Sequence, residues 1–315
     1  MSRETVAKAA EELRRSAIDV AWRQWCAVGS LASIAGEAGA SALVDPEALI
    51  LFSLALRDDE RRLWDVLTWW ARTGVGLLSV QRIKKLAREY PPAVQGRLAE
   101  FAWYAVQSGD KRWQSLSGTG AAESRGPEPR RDKWFGEGPE LIEPAALLLR
   151  LRAGFGVGAK ADLLGFLLGV DGAWCSIRLI SAGTYYTARA LSTAAEDMAR
   201  ARLVHASGNK PVEFRVNPKP WSDLLELPRL SPWRYWQPLY AFLMNTLAWV
   251  DWDGFQGGTD YLVSSRARDL VIAHRAAFTR NGIDVPRPED FKGESYLTAF
   301  AGTLRMTGRW LARSV

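Results

Sequence analysis

The sequence predicts a mainly α-helical fold in which one helix-turn-helix with a short β-hairpin lies between two all-helical domains. Over most of the 315 residues, apolar side chains recur every three or four positions, as they do on the buried face of a helix. Between residues 212 and 216 they alternate with polar side chains instead, which indicates a strand. The predicted boundaries are 1–117 for an amino-terminal helical domain, 118–140 for a linker, 141–227 for a central domain and 228–315 for a carboxy-terminal helical domain.

The amino-terminal domain shows helical spacing with proline breaks at Pro46 and at the pair Pro91 and Pro92. Residues that follow this spacing include Leu51, Leu54, Leu63, Leu67 and Trp70. The next stretch, 118–140, is rich in glycine, proline and charge and offers almost nothing to bury, which is typical of a linker.

The central domain begins with two helical segments, "PAALLLRLRA" and "AKADLLGFLLG", which the glycine-rich "GFGVG" separates. These glycines do not predict a phosphate-binding loop. They follow a helix rather than a strand, and Lys160 lies between two alanines instead of in the Gly-Lys-Ser/Thr order of such loops.

A helix-turn-helix pattern comes next. Ser176 can cap a short helix whose Ile177 and Ile180 face the core, and the turn "GTYY" ends it. Thr187 can cap the second helix. The inner stripe of that helix is Leu191, Ala194 or Ala195, and Met198. Beyond it, "LVHA" and "VEFRV" predict two strands around the turn "SGNKP", so a hairpin should lie beside the helices.

The carboxy-terminal domain is helical in three segments, "SPWRYWQPLYAFLMNTLAWVDW", "YLVSSRARDLVIAHRAAFTRNG" and "ESYLTAFAGTLRMTGRWLARS". Glycine and proline mark "NGIDVPRPED", between the last two, as a loop. The most apolar run, "PLYAFLMNTLAWV", is too short to span a bilayer and predicts a buried helix.

Composition limits the classes of function. The 41 Lys and Arg against 35 Asp and Glu give a net charge of +6, a mild excess that is spread evenly along the chain. Cys26 and Cys175 lie far apart, and with only two histidines the chain has no Cys/His spacing suited to zinc. The first residues lack the apolar segment of a signal peptide. We therefore expect a reduced, cytoplasmic protein without membrane anchor, metal or cofactor.

The sequence does not predict an enzyme. Asp251 and Asp253 have a spacing that can hold a divalent metal, but they directly follow an apolar helix and no other acidic cluster supports them. Exposed carboxylates after a helix end are the favoured interpretation. His205 and His274 have no serine or cysteine pattern beside them that points to a nucleophile.

Three blocks of the central domain, "FGVGAKADLLGFLL", "WCSIRLISAGTYYTARALSTAAEDMARARLV" and "GNKPVEFRV", carry a resemblance. The stretch from about 148 to 221, about a quarter of the chain, resembles bacterial winged-helix regulators of the multiple-antibiotic-resistance-repressor type. The resemblance implies a winged helix that binds double-stranded DNA. One position departs from the pattern, because Tyr185 stands where many such turns have glycine.

A helix that enters the major groove needs short or polar side chains in its first turns. The second predicted helix offers Ala188, Arg189, Ser192 and Thr193 there, and Thr187 can meet a phosphate as well as cap the helix. Arg189 is the candidate for a base contact, since a guanidinium can bond a guanine edge in two places. Contacts to the DNA backbone are expected from Arg178, Tyr185 and Tyr186, and from the hairpin, where Asn209, Lys210 and Arg215 can face phosphates or the minor groove.

Each of these positions has a structural alternative. Arg189 and Arg200 can be solvated helix residues, and one of the two tyrosines is expected in the core. Glu196 faces partly outward and would repel DNA, so contact with the helix should taper by its third turn.

Two hypotheses for function follow. The first is a DNA-binding regulator that represses transcription by occupying a short operator, with the carboxy-terminal domain serving homodimer formation or sensing. The second is a protein-interaction module, such as an antitoxin or accessory factor, whose helical domains bind and neutralise a partner enzyme. Residues 141–226 carry only ten Lys and Arg against eight Asp and Glu, and this modest charge keeps the second hypothesis open.

Overall fold

A computed structural model describes residues 2–30, 40–118 and 137–314 of the chain. Within these ranges the fold is mainly helical, with fifteen α-helices and one small antiparallel sheet of three strands. The mainly helical class predicted from sequence is confirmed. Most of the predicted linker, residues 119–136, lies outside the described residues.

The elements follow one another along the three predicted segments. The first segment holds α1 (Ser2–Ala27), α2 (Pro46–Leu56), α3 (Arg62–Thr73), α4 (Val80–Leu86) and α5 (Pro92–Gln107). The central segment holds α6 (Leu147–Phe155), α7 (Ala159–Gly169), β1 (Cys175–Ser176), α8 (Ile177–Thr184), α9 (Ala188–Arg200), β2 (His205–Ala206), β3 (Glu213–Arg215) and α10 (Pro218–Leu224). The last segment holds α11 (Trp236–Val250), α12 (Asp253–Gly257), α13 (Asp260–Ala273), α14 (Arg275–Thr279) and α15 (Tyr296–Ser314).

The first and last segments share a single hydrophobic core. Helix α1 packs along α15 and against α11, and α11 also packs against α2. Phe52 of α2 stacks on Tyr240 of α11 with ring centroids 3.8 Å apart. The two flanking domains predicted at 1–117 and 228–315 are therefore one packed unit, which we call the helical body (α1–α5 and α11–α15). Burying the apolar faces of α1 and α11 requires helices from both ends of the chain.

Helix α11 contains the most apolar run and is buried on nearly all sides, as its sequence predicts. Within the described ranges, no helix combines the length and the apolar character needed to cross a membrane.

Most buried residues of 141–227 form a second core, and we call this segment the central unit. Leu43 and Trp233 also belong to the second core, whereas Ala145, Ala146 and Leu149 lie in the first. The centre of the second core is Phe166 and Leu167 of α7 against Leu191 and Met198 of α9. The sheet has the order β1-β3-β2, with Cys175 opposite Phe214 and His205 opposite Arg215. The order along the chain is thus α6, α7, β1, α8, α9 and the hairpin of β2 and β3. Strand β3 pairs with β1 as well as with β2.

Local signals explain where α8 and α9 begin and end. The Ser176 hydroxyl accepts from the Leu179 amide and the Thr187 hydroxyl accepts from the Ala190 amide, both at 3.3 Å. Both predicted caps are confirmed. Helix α8 ends at Thr184, and the next residue, Tyr185, has φ +64° and takes the left-handed conformation that glycine often supplies at this place.

Candidate DNA-binding surface

One face of the amino-terminal half of α9 is open to solvent. Thr187, Ala188, Arg189 and Thr193 are exposed, and Ser192 is half-buried. The opposite face is buried through Leu191, Ala194, Ala195 and Met198, the inner stripe predicted from sequence. Helical periodicity thus turns the short and polar side chains of the first turns toward solvent.

The hairpin beside α9 also projects from the central unit. Ser207 and Glu213 close it, since the Ser207 amide donates to the Glu213 carbonyl at 2.8 Å and the Ser207 hydroxyl accepts from the Glu213 amide at 2.9 Å. Asn209 and Lys210 at its tip are exposed. Phe214, in contrast, is buried, so the hairpin is anchored by its second strand.

A groove of about 950 Å³ runs between α8, α9 and the hairpin. Its lining is mixed. Apolar surface comes from Ile177, Val212 and Phe214, and the charged side chains are Arg178, Glu196 and Arg200.

The cations at this surface differ in whether they form ion pairs with neighbouring side chains. Within the described ranges, no ion pair includes Arg178, Arg189 or Lys210. Farther along α9, Arg200 lies 3.7 Å from Asp197, which also pairs with Lys160 at 3.0 Å. The positive charge outside ion pairs is therefore at the starts of α8 and α9 and at the hairpin tip.

Arg215 is exposed, but its guanidinium lies 4.5 Å from the ring centroid of Trp174. A cation held over an indole face is attracted by the ring electrons, so this contact orients Arg215. Trp174 is itself more than a third exposed. Trp174 is not predicted at this surface, because a single tryptophan before a strand carries no specific signal.

The two tyrosines of the turn differ from their predicted role. Tyr185 packs against the core of the helical body and Tyr186 against the core of the central unit. Burial raises the pKa of both hydroxyls, and the Tyr186 hydroxyl is buried without a hydrogen-bond partner among the described residues. Tyr186 therefore cannot reach a phosphate, and the half-buried Tyr185 joins the two units instead. Both rings are bulky and largely apolar, so burial is favoured.

The carboxyl end of α8, directly before this turn, receives hydrogen bonds from three cations of the helical body. Arg280 donates to the Ala182 carbonyl at 3.0 Å, Arg82 donates to the Thr184 carbonyl at 2.9 Å, and Lys85 donates to the Tyr185 carbonyl at 2.9 Å. These donors and acceptors are about 100 residues apart in sequence, so no local pattern predicts them.

Arg82 belongs to a buried ionic cluster between the helical body and the central unit. It pairs with Asp45 at 2.5 Å and with Glu47 at 2.5 Å, while Arg152 pairs with Glu47 at 2.7 Å and with Asp162 at 2.7 Å. All five side chains are at most 5% exposed. Buried charges require such pairing, because an unpaired charge in the protein interior is very costly.

The residues considered for metal binding and catalysis do not come together. Both carboxylate oxygens of Asp251 accept from Arg14, at 2.7 and 2.9 Å, and Asp253 begins α12. His205 lies on the exposed β2, and His274 lies between α13 and α14. Among the described residues, no three or more His, Cys, Asp or Glu side chains are grouped in a way that could hold a metal ion.

The helical body carries exposed apolar side chains directly before α12 and in the first turn of α13. Trp252 is 64% exposed, Tyr261 64% and Leu262 60%. A groove of about 680 Å³ continues this apolar surface toward Pro91 and Pro92 at the start of α5. Contiguous apolar surface of this kind often marks an interaction site.

No protein-family model matches the chain, and comparisons with curated proteins and with solved structures find no match either. Geometry and charge are therefore the basis on which a function is assigned.

Proposed function

We propose that the protein is a winged-helix transcription regulator that binds double-stranded DNA with α9 in the major groove. One observation carries the proposal: the amino-terminal half of α9 is exposed, beside a projecting hairpin, with Arg189 outside every ion pair of the described residues. The order of helices and strands in the central unit supports it, since a recognition helix followed by a hairpin is the arrangement of a winged helix.

Each side chain of the surface then has a role. Arg189 reads a guanine edge, which contributes on the order of 1–3 kcal/mol of discrimination. Thr187 and the free amides at the start of α9 meet a phosphate, because the amino end of a helix carries partial positive charge. Arg178 and Lys210 contact the DNA backbone on either side of the helix. Glu196 limits contact to the first two turns of α9.

Repression by occupancy is the mode of action that this surface suits. A homodimer would place two α9 helices on half-sites about one turn of DNA apart, roughly 34–36 Å. Such a dimer reads a sequence with two-fold symmetry.

The test is a binding titration with the promoter fragment upstream of the protein's own gene and with random DNA, over a series of salt concentrations. A regulator binds the promoter more tightly, and the logarithm of its affinity falls linearly with the logarithm of salt concentration. Equal, weak binding to both fragments at every salt concentration rejects the proposal.

Three variants assign the roles. Arg189→Ala should reduce the preference for promoter over random DNA, whereas Lys210→Ala should weaken binding to both and lower the salt slope by about one. Arg200→Ala is the matched control, because Arg200 lies farther along the same helix and faces Asp197. If Arg189→Ala binds both fragments like the parent, α9 is not the reading helix.

The second candidate function is protein binding through the exposed apolar side chains at the starts of α12 and α13. The exposure of Trp252, Tyr261 and Leu262 favours it. The first partner to test is a second copy of the chain, by sedimentation of the parent and of Leu262→Glu over a range of concentrations. Concentration-dependent association that Leu262→Glu abolishes supports this function, and a parent that remains monomeric excludes self-association.

A further inference from the structure

We infer that the helical body sets the position of α9 by holding the carboxyl end of α8 with Arg82, Lys85 and Arg280. The inference rests on the proposed function, because position matters only if α9 reads DNA. The three residues are called the cationic clamp below.

The clamp acts on groups that a helix itself leaves without partners. The last four carbonyls of an α-helix have no intrahelical donor, and together they form the negative end of its dipole. At the end of α8, the Ala182, Thr184 and Tyr185 carbonyls each accept from one clamp cation. Hydrogen bonds with a charged partner are stronger than neutral ones.

The turn transmits this position to α9 because it is short and fixed. Only Tyr185 and Tyr186 separate the end of α8 from the Thr187 cap. The Ser181 hydroxyl donates to the Tyr186 carbonyl at 2.7 Å, and the Tyr185 amide donates to the Ser181 carbonyl at 2.9 Å. A shift of the last turn of α8 therefore shifts the first turn of α9, where Arg189 lies.

One residue of the clamp, Arg82, is buried, and the other two, Lys85 and Arg280, are exposed. Arg82 is paired with Asp45 and Glu47. Glu47 also pairs with Arg152 of the central unit, which in turn pairs with Asp162. Lys85 and Arg280 are exposed, and their side chains lie over the rings of Tyr185 and Tyr235. Removing the two exposed cations therefore loosens the turn without uncovering the buried charges.

A different role for Lys85 and Arg280 would be direct contact with DNA phosphates. The two roles predict different salt dependence. Each lost phosphate contact lowers the salt slope by about 0.9, without a change in sequence preference. Loss of positioning leaves the slope unchanged and reduces the preference for the specific site.

The experiment uses the full chain with Lys85→Gln and Arg280→Gln combined, and Arg88→Gln as the matched control. Arg88 is an exposed cation on the turn directly after α4, and no described ion pair includes it. The double variant should bind promoter DNA on the order of tenfold more weakly, since about 1.4 kcal/mol is tenfold and one charged hydrogen bond is worth about that much. Binding to random DNA and the salt slope should stay as in the parent.

A second measurement does not involve DNA. Hydrogen exchange of the Tyr185, Ala190 and Leu191 amides, which close the turn and the first turn of α9, should be faster in the double variant than in the parent or in Arg88→Gln. A thermal unfolding curve close to that of the parent confirms that the double variant is folded.

The outcomes distinguish failure of the clamp from failure of the proposed function. Lower preference for the promoter with an unchanged salt slope and faster exchange supports the clamp. A salt slope reduced by about two with preserved preference overturns it in favour of phosphate contact, and unchanged binding and exchange also overturn it. If the parent binds no DNA, the proposed function fails, and the exchange rates alone decide whether the clamp holds the turn.

Discussion

Arg152 donates to both carboxylate oxygens of Glu47, at 2.7 and 3.1 Å, and both side chains are fully buried. Glu47 accepts from Arg82 as well and receives the Ser79 amide at 2.7 Å. One carboxylate of α2 thus holds an arginine of the helical body and an arginine of the central unit.

Replacing Glu47 by alanine should lower the free energy of unfolding by about 3–5 kcal/mol, because it leaves buried arginines without their shared partner. Urea-induced unfolding measures this change. Glu11→Ala is the control, since the carboxylate of Glu11 is about half exposed and its pairs with Arg14 and Arg15 contribute little. Equal stability of the two variants would show that the buried cluster does not hold the units together.

The free energy of unfolding should also fall in acid, and protonation of Glu47 should account for part of this loss. Burial on its own raises the pKa of Glu47, but the charges of Arg152 and Arg82 outweigh it and lower the pKa from 4.5 to about 2. Because the folded-state pKa is lowered, the contribution of Glu47 to stability is complete above pH 4.5 and is lost as pH falls toward 2.

The measurement for this acid dependence is the free energy of unfolding of the parent and of Glu47→Gln between pH 7 and the lowest pH at which both fold. The parent should lose stability more steeply than the variant below pH 4.5. Parallel curves would mean that Glu47 does not titrate as its surroundings indicate.

Gly183→Ala should destabilise the protein although alanine is the better helix former. A Cβ atom at Gly183 would lie 2.4 Å from Cε2 of Phe166, so α8 could not pack this closely on α7. Overpacking of this kind costs about 1–3 kcal/mol, which exceeds the gain of up to about 1 kcal/mol in helix propensity.

Gly96→Ala is the matched control for Gly183→Ala, since Gly96 lies in α5 with no atom within 4 Å of the added Cβ. It should be neutral or stabilising by up to about 1 kcal/mol. Phe166→Leu in the Gly183→Ala background should restore part of the loss. Similar effects of alanine at both glycines would contradict the close packing of α8 on α7.

Thr187→Ala should lower the free energy of unfolding by about 1 kcal/mol, because the Ala190 amide loses its capping acceptor. Thr187→Ser keeps a hydroxyl acceptor and should stay close to the parent. Thr193→Ala is the control within the same helix, where the hydroxyl only donates to the Arg189 carbonyl. Chemical denaturation with circular dichroism measures all three variants, and a Thr187→Ala value equal to that of Thr193→Ala would contradict the cap.

Helices α8 and α9 are predictable from sequence because their signals are local. A capping hydroxyl acts on an amide three residues away, and Leu191 and Met198 lie on one face at helical spacing. The two hairpin strands β2 and β3 are predictable for the same reason, since alternation around Phe214 needs only neighbouring residues. Strand β1 is not predicted, because its two residues show no alternation and it forms by pairing with the distant β3. Exposure of the start of α9 follows from the same periodicity.

The shared core of the helical body is not predictable in this way. Periodicity shows that α1 and α11 have apolar faces, but it does not show which helix covers them, and the covering helices come from opposite ends of the chain. The ionic cluster is not predictable for the same reason. Glu47 and Arg152 are 105 residues apart, and each alone resembles an ordinary charged helix residue. The burial of Tyr186 is also not predictable, because it depends on which distant element packs on the turn.

The packing of α1 against α15 also determines the order in which the chain can fold during synthesis. Helices α1 to α5 leave the ribosome before α11 and α15 exist, so the faces of α1 and α2 that later pack on these two helices stay open to solvent while the rest is translated. The central unit, which has its own core, can fold in that interval. A nascent chain stalled before Trp236 would therefore expose the uncovered surface of α1 and α2 and depend on chaperones to stay out of aggregates.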